Sequence, residues 1–347
     1  MNYREILSSH GFRLNDHGSY WTSNAAFRGG DNPNAIQIYK NSGVWRDYVE
    51  GSNFLPFEAL LKKLGVKPER GGLVNKSKIE EPKQNKLLES EKTYDQSCLK
   101  KLLPHLDFYD KRGISKYVLN EFKCGLATSG KMYQRIVFPI LREDQKIIGF
   151  AGRNVSPNDD KPKWLNLGKT ADWFYPYFLS HRCKTAIEKK KSVFIVESIG
   201  DCLSLFNAGV FNVLVSFGLN LSPKFIARIN ALGCDKIFVS FNNDKALAVN
   251  RGCNGAVNAV LKMSESIDIS SIFYNPPPYG DFGDMSKEKI LDFEEKSYNT
   301  DNKSSLESCI KQADEIISSL KQRGKSSDSM DKKTKKIRKF YNFYYGE

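Results

Sequence analysis

Acidic residues follow three apolar segments in the second half of the chain, at the points where strands are expected to end. Glu197 ends the segment VFIVE, and Asp201 comes one helical turn later. Asp244 follows IFVSFNN, while Asp281 and Asp284 follow IFYNPPPYG. A single aspartate in such a place is more typical of a turn or a helix N-cap. Carboxylates that converge repel one another unless a cation lies among them, and hard oxygen ligands suit Mg²⁺, so the set predicts a metal site.

Strands alternate with helices from residue 192 to about residue 292, and this alternation is what would bring those side chains together. The expected strands VFIVES, NVLVSFG, KIFVSFNN and SIFYNP are almost continuously apolar. The segments between them, GDCLSLFNAG, SPKFIARINALG and NRGCNGAVNAVLKMS, have apolar residues at helical spacing. The pattern predicts an α/β domain whose parallel sheet is covered on both faces. Ligands of such sheets bind at the carboxyl ends of the strands, where these acidic residues lie.

The rest of the chain divides by composition into further segments. Residues 1–65 alternate apolar and polar side chains between Gly, Asn and Asp turns, which predicts a small β-rich module that closes with the helix FLPFEALLKKLG. Residues 66–97 are charged and poor in large apolar side chains, which is typical of a linker. Residues 98–191 form a mixed α+β segment with the strands RIVFPIL and KIIGFAGRNV. The sheet domain then spans 192–293, and 294–347 hold an amphipathic helix and a basic, aromatic tail.

The composition favours an intracellular protein with a polyanionic partner. The 347 residues carry 53 basic and 40 acidic side chains, and the formal charge of +13 favours nucleic-acid binding without specifying it. The seven cysteines are odd in number and form no CxxC pair, as in proteins of a reducing compartment. No segment approaches the roughly 18 apolar residues of a membrane span, and the first residues lack an apolar signal core. We therefore expect a soluble, cytoplasmic protein without a membrane partner.

Seven motifs occur in a fixed order between residues 103 and 293. They are YDKRGIS, the strand pair QRIVFPI and IIGFAGRNV, KPKWLN, VFIVESIGDCLSLFNAGV, VSFGLNLSPKFI, IFVSFNNDKA and DFGDM. In this order they resemble the catalytic core of bacterial and phage DNA primases of the DnaG type, and short phage primases most of all. The resemblance implies a Toprim-type parallel-sheet catalytic domain, preceded by an α+β primase N-lobe (residues 98–191) and a small N-terminal module.

The resemblance also implies a site built on one or two Mg²⁺ ions, or Mn²⁺ in their place. Asp244, Asp281 and Asp284 would hold the metal. Glu197 would be catalytic, either as a metal ligand or as the group that manages the proton of the 3′-hydroxyl. Asp201 would orient a neighbouring side chain or cap a helix. The nucleotide and template would be held by five basic residues at matching positions: Arg112, Arg135, Arg153, Lys161 and Lys163. Arg251, at the start of an expected helix, could also hold phosphate.

Two departures from the family pattern alter these expectations. The Asp-x-Asp of the family is Asn242-x-Asp244 here, so Asn242 is expected to ligate more weakly, through its carbonyl oxygen, in a site that still functions. The module at residues 1–65 corresponds in position to a zinc ribbon, but no cysteine precedes Cys98. We expect a ribbon-like fold without zinc, and stoichiometric zinc in the purified protein would refute this. Its predicted core is aromatic: Trp21, Phe27, Tyr39, Trp45 and Tyr48.

The activity that the resemblance implies is that of a DNA-directed RNA polymerase of the primase type, a nucleotidyltransferase of phage or bacterial DNA replication. Its substrates would be single-stranded DNA template and nucleoside triphosphates (NTPs). The chain has no P-loop, so a separate replicative helicase is the expected primosome partner, with the C-terminal helix and tail as its candidate docking site. Two alternatives stay open. One is a Toprim-type nuclease or topoisomerase-like enzyme, and the other is a catalytically weakened accessory protein that binds single-stranded DNA.

Overall fold

The computed structural model divides the chain into two compact units, Met1–Asn85 and Lys86–Glu347. It describes the following residues: 3–18, 20–40, 43, 45–48, 55, 57–66, 92–104, 107–156, 161–244 and 250–346. The greater part of the predicted linker, residues 67–91, lies outside the described residues.

The first unit is built on an antiparallel sheet of four strands in the order β1-β2-β3-β4. Its elements are α1 (Tyr3–Ser9), β1 (Asn15–Asp16), β2 (Tyr20–Ser23), β3 (Ile36–Tyr39), β4 (Trp45–Asp47) and α2 (Phe57–Lys63). Gly65 follows α2 with a φ of +70°, the left-handed conformation in which glycine commonly ends a helix. The β-rich module with its closing helix is therefore confirmed, whereas its likeness to a zinc ribbon remains a prediction.

The core of the first unit is aromatic only in part. Three of the five predicted aromatic residues pack in it: Trp21, Phe27 and Trp45. The prediction is wrong for Tyr39 and Tyr48, which are 36% and 51% exposed. Side chains alternate across a strand, so burial of Ile38 in β3 places the neighbouring Tyr39 on the other face. The Tyr48 hydroxyl donates to the side chain of Gln37, at 2.7 Å, outside the core.

The second unit begins with an antiparallel sheet in the order β5-β6-β7-β8. Its elements are α3 (Asp107–Asp110), α4 (Lys116–Glu121), β5 (Gly125–Leu126), β6 (Arg135–Leu141), β7 (Ile147–Asn154) and β8 (Trp164–Leu167). The paired strands predicted from RIVFPIL and KIIGFAGRNV are β6 and β7. Tyr94 exchanges main-chain hydrogen bonds with Ile147, of 2.8 and 3.2 Å, so the chain joins this lobe before α3.

A parallel sheet in the order β10-β9-β11-β12 forms the rest of the second unit, and this confirms the predicted α/β fold. Its elements are α5 (His181–Lys190), β9 (Ser192–Val196), α6 (Ile199–Ala208), β10 (Val213–Val215), α7 (Pro223–Ala231), β11 (Lys236–Val239), α8 (Arg251–Met263) and β12 (Ile272–Tyr274). Every residue of β9 and β10 is buried, so both faces of the sheet are covered. The register sets Val196 beside Val215, and Val239 beside Ile195 and Tyr274. The residues that follow the strands therefore meet at one edge.

Three helices complete the chain: α9 (Lys287–Asn299), α10 (Asn302–Gln322) and α11 (Asp328–Tyr345). The predicted amphipathic helix is α10, which buries Leu306, Ala313 and Ile317. The basic, aromatic tail is the helix α11, and it packs on α10 through the ion pair of Arg338 with Asp314. In the described ranges, no helix combines the length and hydropathy that crossing a membrane requires.

Candidate active site

Glu197 is the first residue after β9, and a helix cap fixes the chain beside it. Ser198 is the N-cap of α6, and its Oγ accepts a hydrogen bond from the Asp201 N–H at 3.3 Å. In return, Oδ2 of Asp201 accepts from the N–H and the hydroxyl of Ser198, at 3.0 and 2.7 Å. This reciprocal cap satisfies donors that the first turn of a helix leaves unpaired. It also sets the direction in which the Glu197 side chain leaves the sheet.

Asp201 also connects this cap to the turn that contains Asp281 and Asp284. Its Oδ1 accepts a hydrogen bond from the N–H of Phe282, the residue after Asp281, at 3.3 Å. The side chain is buried, and burial raises the pKa of Asp201 to about 7 even though the Ser198 donors lower it. The sequence left open whether Asp201 orients a neighbour or caps a helix. In the structure it caps α6 and also holds the main chain of the Asp281 turn, while a role in orienting a catalytic side chain stays a prediction.

Asp244 lies where the chain leaves β11 for α8. Its N–H donates to Oδ1 of Asn250, the N-cap of α8, at 2.9 Å, and its Oδ2 accepts from the Gly252 N–H at 3.1 Å. A Cβ on Gly252 would lie 2.0 Å from the carbonyl oxygen of Asn242, so only glycine allows this approach of helix and strand end. The Asp244 carboxylate therefore lies at the N-terminus of α8, where the helix dipole favours a negative charge.

Asn243 ties the end of β11 to the loop that follows β12. Its backbone N–H donates to the Gly280 carbonyl at 2.7 Å, and its own carbonyl accepts from the Gly280 N–H at 2.9 Å. The side chain, 5% exposed, donates through Nδ2 to the carbonyls of Pro277 and Pro278 at 2.9 and 3.1 Å. Its Oδ1 accepts from Nδ2 of Asn250 at 3.0 Å. One buried amide thus connects the β12 loop with the cap of α8.

Asp281 and Asp284 lie in one short 3-10 turn after β12. Oδ2 of Asp284 accepts from the Asp281 N–H at 3.4 Å. Gly280, at a φ of +53°, leaves room for that carboxylate, because a Cβ there would lie 2.5 Å from Asp284 Oδ2. Asp284 therefore helps to close its own turn, which is the structural role that any single aspartate at a strand end could have.

Carboxylates from three strand ends influence one another at this edge. The pKa of Glu197 is raised by burial first, then by the carboxylate of Asp244 and, less strongly, that of Asp281. The Arg251 guanidinium and the Lys163 ammonium act in the opposite direction. The sheet register brings the ends of β9, β11 and β12, which these residues follow, to the same edge. It does so although the three acidic residues are far apart in sequence.

The residues present at this edge fit a hydrated Mg²⁺ better than a closed protein cage. In the described part of the chain, no three His, Cys, Asp or Glu side chains lie close enough to form a ready-made metal site. Mg²⁺ commonly uses one or two carboxylates together with water and substrate phosphates, and so does not need such a cage. Oδ1 of Asn242 is buried without a hydrogen-bond partner at the same strand end. A buried acceptor left unpaired is costly, and a cation would satisfy it.

A cavity of about 280 Å³ opens between the N-lobe and the sheet domain, and Asp281 lines it whereas Glu197 and Asp244 do not. Its charged lining combines the N-lobe cations Arg112, Arg153 and Lys163 with the sheet-domain acids Asp201, Asp281 and Asp284. The Arg112 guanidinium lies 3.8 Å from the ring centre of Phe108. The Arg153 guanidinium lies 5.2 Å from the ring centre of Phe108 and 5.7 Å from that of Trp164. The rings hold both guanidinium groups in place, as cation–π contacts do, and leave a positive wall opposite the acids.

The other three predicted basic residues lie outside this cavity. The prediction that Arg135 holds nucleotide or template is not supported, because Arg135 is 3% exposed and its Nη1 donates to the carbonyls of Gly152 and Pro162. It braces the turn that carries Lys163. Lys161 is exposed and does not line the cavity. Arg251 is the exposed first residue of α8, close enough to Glu197 to lower its pKa.

Sequence reasoning missed the residues that connect the loops. The role of Asn243 has no sequence signal, because it donates to two main-chain carbonyls more than thirty residues away, which no local pattern reveals. The stacking of Phe108 and Trp164 on arginines also depends on tertiary contacts. Asn250 could have been found, since an asparagine before the first residues of an expected helix is a common N-cap.

Comparison with known proteins agrees with the motifs. Residues 130–175 match the family described as the N-terminal domain of the DNA primase catalytic core. The chain is 33% identical over 135 residues to the DNA primase of Lactococcus lactis, and 29% identical over 148 residues to that of Borreliella burgdorferi. These matches cover 38% and 40% of this chain, but only 20% and 27% of the relatives. The chain thus matches a minor part of the length of these curated relatives.

Solved structures give the same fold. The RNA polymerase domain of Mycobacterium tuberculosis primase DnaG aligns with a TM-score of 0.50 and 18% identity over 63% of this chain and 81% of that one. The zinc-binding and RNA polymerase domains of the Aquifex aeolicus primase align at 0.50 and 17%, over 100% and 95%. A DnaG catalytic domain bound to single-stranded DNA aligns at 0.50 and 16%, over 68% and 89%. At these identities the likeness establishes the fold, and together with the sequence matches it confirms the resemblance to DnaG-type primases.

Proposed function

We propose that this chain, a relative of the DnaG-type DNA primases, synthesises short RNA primers on single-stranded DNA from ribonucleoside triphosphates. The observation that carries the proposal is that Glu197, Asp244 and Asp281 follow strands that end at one edge of the sheet, and that Asp281 lines a cavity shared with three cations. Phosphoryl transfer depends mainly on positioning and on charge stabilisation, and an acidic edge opposite a basic wall offers both.

The metal of the proposed site is Mg²⁺, or Mn²⁺ in its place. Glu197, Asp244 and Asp281 would hold it, with Asn242 as a neutral ligand and Asp284 at the margin. When bound, the ion supplies positive charge that neutralises phosphate oxygens in the transition state.

The cations of the N-lobe have a separate task, which is to hold the triphosphate. Arg112 and Arg153 present planar forks that match phosphate oxygens, and Lys163 supplies a point charge. In the reaction, the 3′-oxygen of one nucleotide bonds to the α-phosphorus of the next, and pyrophosphate leaves. The hydroxyl proton has to leave as well. Glu197, whose pKa is raised by burial, either accepts this proton or serves only as a metal ligand.

The template in this proposal is single-stranded DNA, which is supported by the net charge of +13 and by the solved catalytic domain bound to such a strand. A separate replicative helicase is the proposed protein partner, and α11 is its proposed docking site. Three exposed lysines repeat along one side of α11 at helical spacing, followed by an aromatic side chain that is 79% exposed: Lys332, Lys336, Lys339 and Phe343.

A second candidate function is a DNA-binding accessory protein without catalysis. It is favoured by the replacement of an acidic ligand by Asn242 and by the absence, among the described residues, of three metal-binding groups in close contact. In that case the basic surfaces would bind DNA, and the acidic edge would only cap helices.

One assay separates these functions. The protein is incubated with single-stranded template, labelled ribonucleotides and Mg²⁺. Short RNA products support the primase, a shortened template would indicate a nuclease, and DNA that is bound but unchanged would indicate the accessory protein. Glu197→Gln should abolish the RNA products and leave template binding intact. Glu295→Gln, an equal change on an exposed position of α9, should leave both unchanged.

A further inference from the structure

A second groove, of about 510 Å³, runs along α8 outside the cavity described above. One side chain in each turn of α8 faces it, and together they form a polar stripe: Arg251, Asn254, Asn258 and Lys262. The opposite wall is the loop around Leu221, and Lys333 of α11 closes one side. We call this feature the α8 groove.

The groove is built by close packing of its two walls. Gly255 of α8 approaches the loop so closely that a Cβ there would lie 2.7 Å from a methyl group of Leu219. Nζ of Lys262 donates to the Leu221 carbonyl at 2.5 Å and to Oδ1 of Asn220 at 3.2 Å, which fixes the ammonium group at the wall. The groove is therefore held open by main-chain and side-chain contacts, as a preformed site is.

The charged residues that line the α8 groove all have one sign, although Lys333 also pairs, at 3.7 Å, with Glu265, which is not part of the lining. Of the described residues that line it, three are cations, three are asparagines and none is acidic. The cavity between the lobes differs in this respect, because Asp201, Asp281 and Asp284 line it. A groove with cations and neutral amides but without carboxylates attracts a polyanion. Asparagine side chains can donate to phosphate and also accept from a sugar hydroxyl, so they do not select a base sequence.

One end of the α8 groove adjoins the acidic edge. Arg251 lines the groove, and the N–H of the next residue, Gly252, donates to Oδ2 of Asp244 at 3.1 Å. The stripe from Arg251 to Lys262 extends about 16 Å along the helix, which spans several phosphates at roughly 3.4 Å per nucleotide of a stacked strand. A strand that passes the carboxylates can thus continue into the groove over Arg251.

We propose that the α8 groove binds the sugar–phosphate backbone of one nucleic-acid strand that leads to or from the acidic edge. The inference rests on the proposed function, since that function requires both a template strand and a product strand. Either strand has the required chemistry, and the experiment below distinguishes them.

The test introduces a charge at position 258. Asn258 is exposed in the middle of the stripe and is not one of the proposed catalytic or metal-binding residues. Asn258→Glu should weaken binding of single-stranded oligonucleotide about tenfold, whereas Asn258→Lys should tighten it and increase the salt dependence by about one phosphate contact, a slope change of roughly 0.7. Asn230→Glu and Asn230→Lys are the matched controls, because Asn230 is an exposed asparagine of α7 outside the groove. If each Asn258 variant bound the oligonucleotide as tightly as the corresponding Asn230 variant, the proposal would be wrong.

A photo-crosslinking residue at position 258 identifies the strand. Adducts with labelled template DNA assign the groove to the template, and adducts with labelled RNA product assign it to the primer. If the protein binds DNA but position 258 crosslinks to neither strand, the α8 groove is not a binding site for nucleic acid. If Asn258→Glu weakens DNA binding in a protein that makes no RNA, the groove stands and the primase proposal fails. If primers are made and the Asn258 variants bind as the controls do, the primase stands and the groove fails.

Discussion

Asn243 and Gly280 exchange two main-chain hydrogen bonds, of 2.7 and 2.9 Å, although they are 37 positions apart in the chain. Asp244 is the residue after Asn243, and Asp281 is the residue after Gly280. Distances between the two carboxylates therefore depend on this connection and on the Asn243 amide that supports it. Asn243, between the candidate ligands Asn242 and Asp244, is thus a positioning residue for its neighbours.

Removal of the Asn243 amide should weaken metal use as well as stability. Asn243→Ala leaves the carbonyls of Pro277 and Pro278 without their buried donors, which costs about 1–3 kcal/mol of unfolding free energy. Because the loops then separate more easily, the Mg²⁺ concentration for half-maximal RNA synthesis should rise several-fold. A titration of activity against Mg²⁺, beside a denaturant unfolding curve, measures both effects.

Asn212 provides the matched control for this prediction. It is another fully buried amide, and it donates to Ser192 and Tyr298 at the amino end of the same sheet. Asn212→Ala should destabilise the protein by a similar amount but leave the Mg²⁺ requirement unchanged. An equal shift in Mg²⁺ requirement for both variants would mean that Asn243 has only a structural role.

The buried Asp201 predicts a specific dependence of stability on pH. Its pKa is raised from the ordinary 3.8 to about 7, with burial as the main cause. A carboxyl group whose pKa is higher in the folded state stabilises the fold while it is protonated, so this contribution is full below pH 4 and is lost as the pH rises through 7. The unfolding free energy of the wild type minus that of Asp201→Asn should therefore decrease between pH 4 and 7, by a few kcal/mol at most.

The measurement is denaturant unfolding of both proteins with EDTA present, so that no divalent cation contributes. The difference between the two proteins cancels the titration of the other acidic groups. A difference that increases with pH would show that the hydrogen bonds from Ser198 and Phe282 lower the pKa more than burial raises it.

Gly252 and Gly200 should respond to alanine in opposite directions. A Cβ at position 252 would lie 2.0 Å from the carbonyl oxygen of Asn242, which is backbone and cannot rotate away. Gly252→Ala should therefore cost several kcal/mol or prevent folding, since α8 must shift from β11. At Gly200 the nearest atom would be 3.4 Å away, and alanine in that helix should be neutral or stabilise by up to about 1 kcal/mol. Thermal unfolding of the two variants tests the difference, and similar stabilities would contradict it.

The order of strands and helices was predictable because hydrophobic periodicity is local. The four segments read as parallel strands are β9 to β12, and the carboxyl-end rule placed Glu197, Asp244 and Asp281 at one edge. Charge alone could not separate Lys163, which lines the cavity, from Lys161, which does not. Both lysines lie in the turn before β8, where no periodicity fixes the direction of a side chain, so only the fold decides which one lines the cavity. The expectation that Arg135 contacts nucleotide or template is not supported for a related reason. An arginine in an apolar strand can be buried when its guanidinium donates to main-chain carbonyls.

The two lysines therefore give a test of the nucleotide site. Lys163 lines the cavity and acts electrostatically on Glu197, whereas Lys161 is exposed and lies outside it. Lys163→Ala removes a point charge from the proposed triphosphate site, so KM for nucleotides should rise about tenfold, as expected from the loss of roughly 1.4 kcal/mol of a charge-assisted contact. Lys161→Ala should change KM less than twofold. Steady-state primer synthesis at varied NTP concentration measures both values, and because each variant loses one positive charge, any general effect on DNA binding is shared. Equal effects on KM would place the triphosphate outside this cavity.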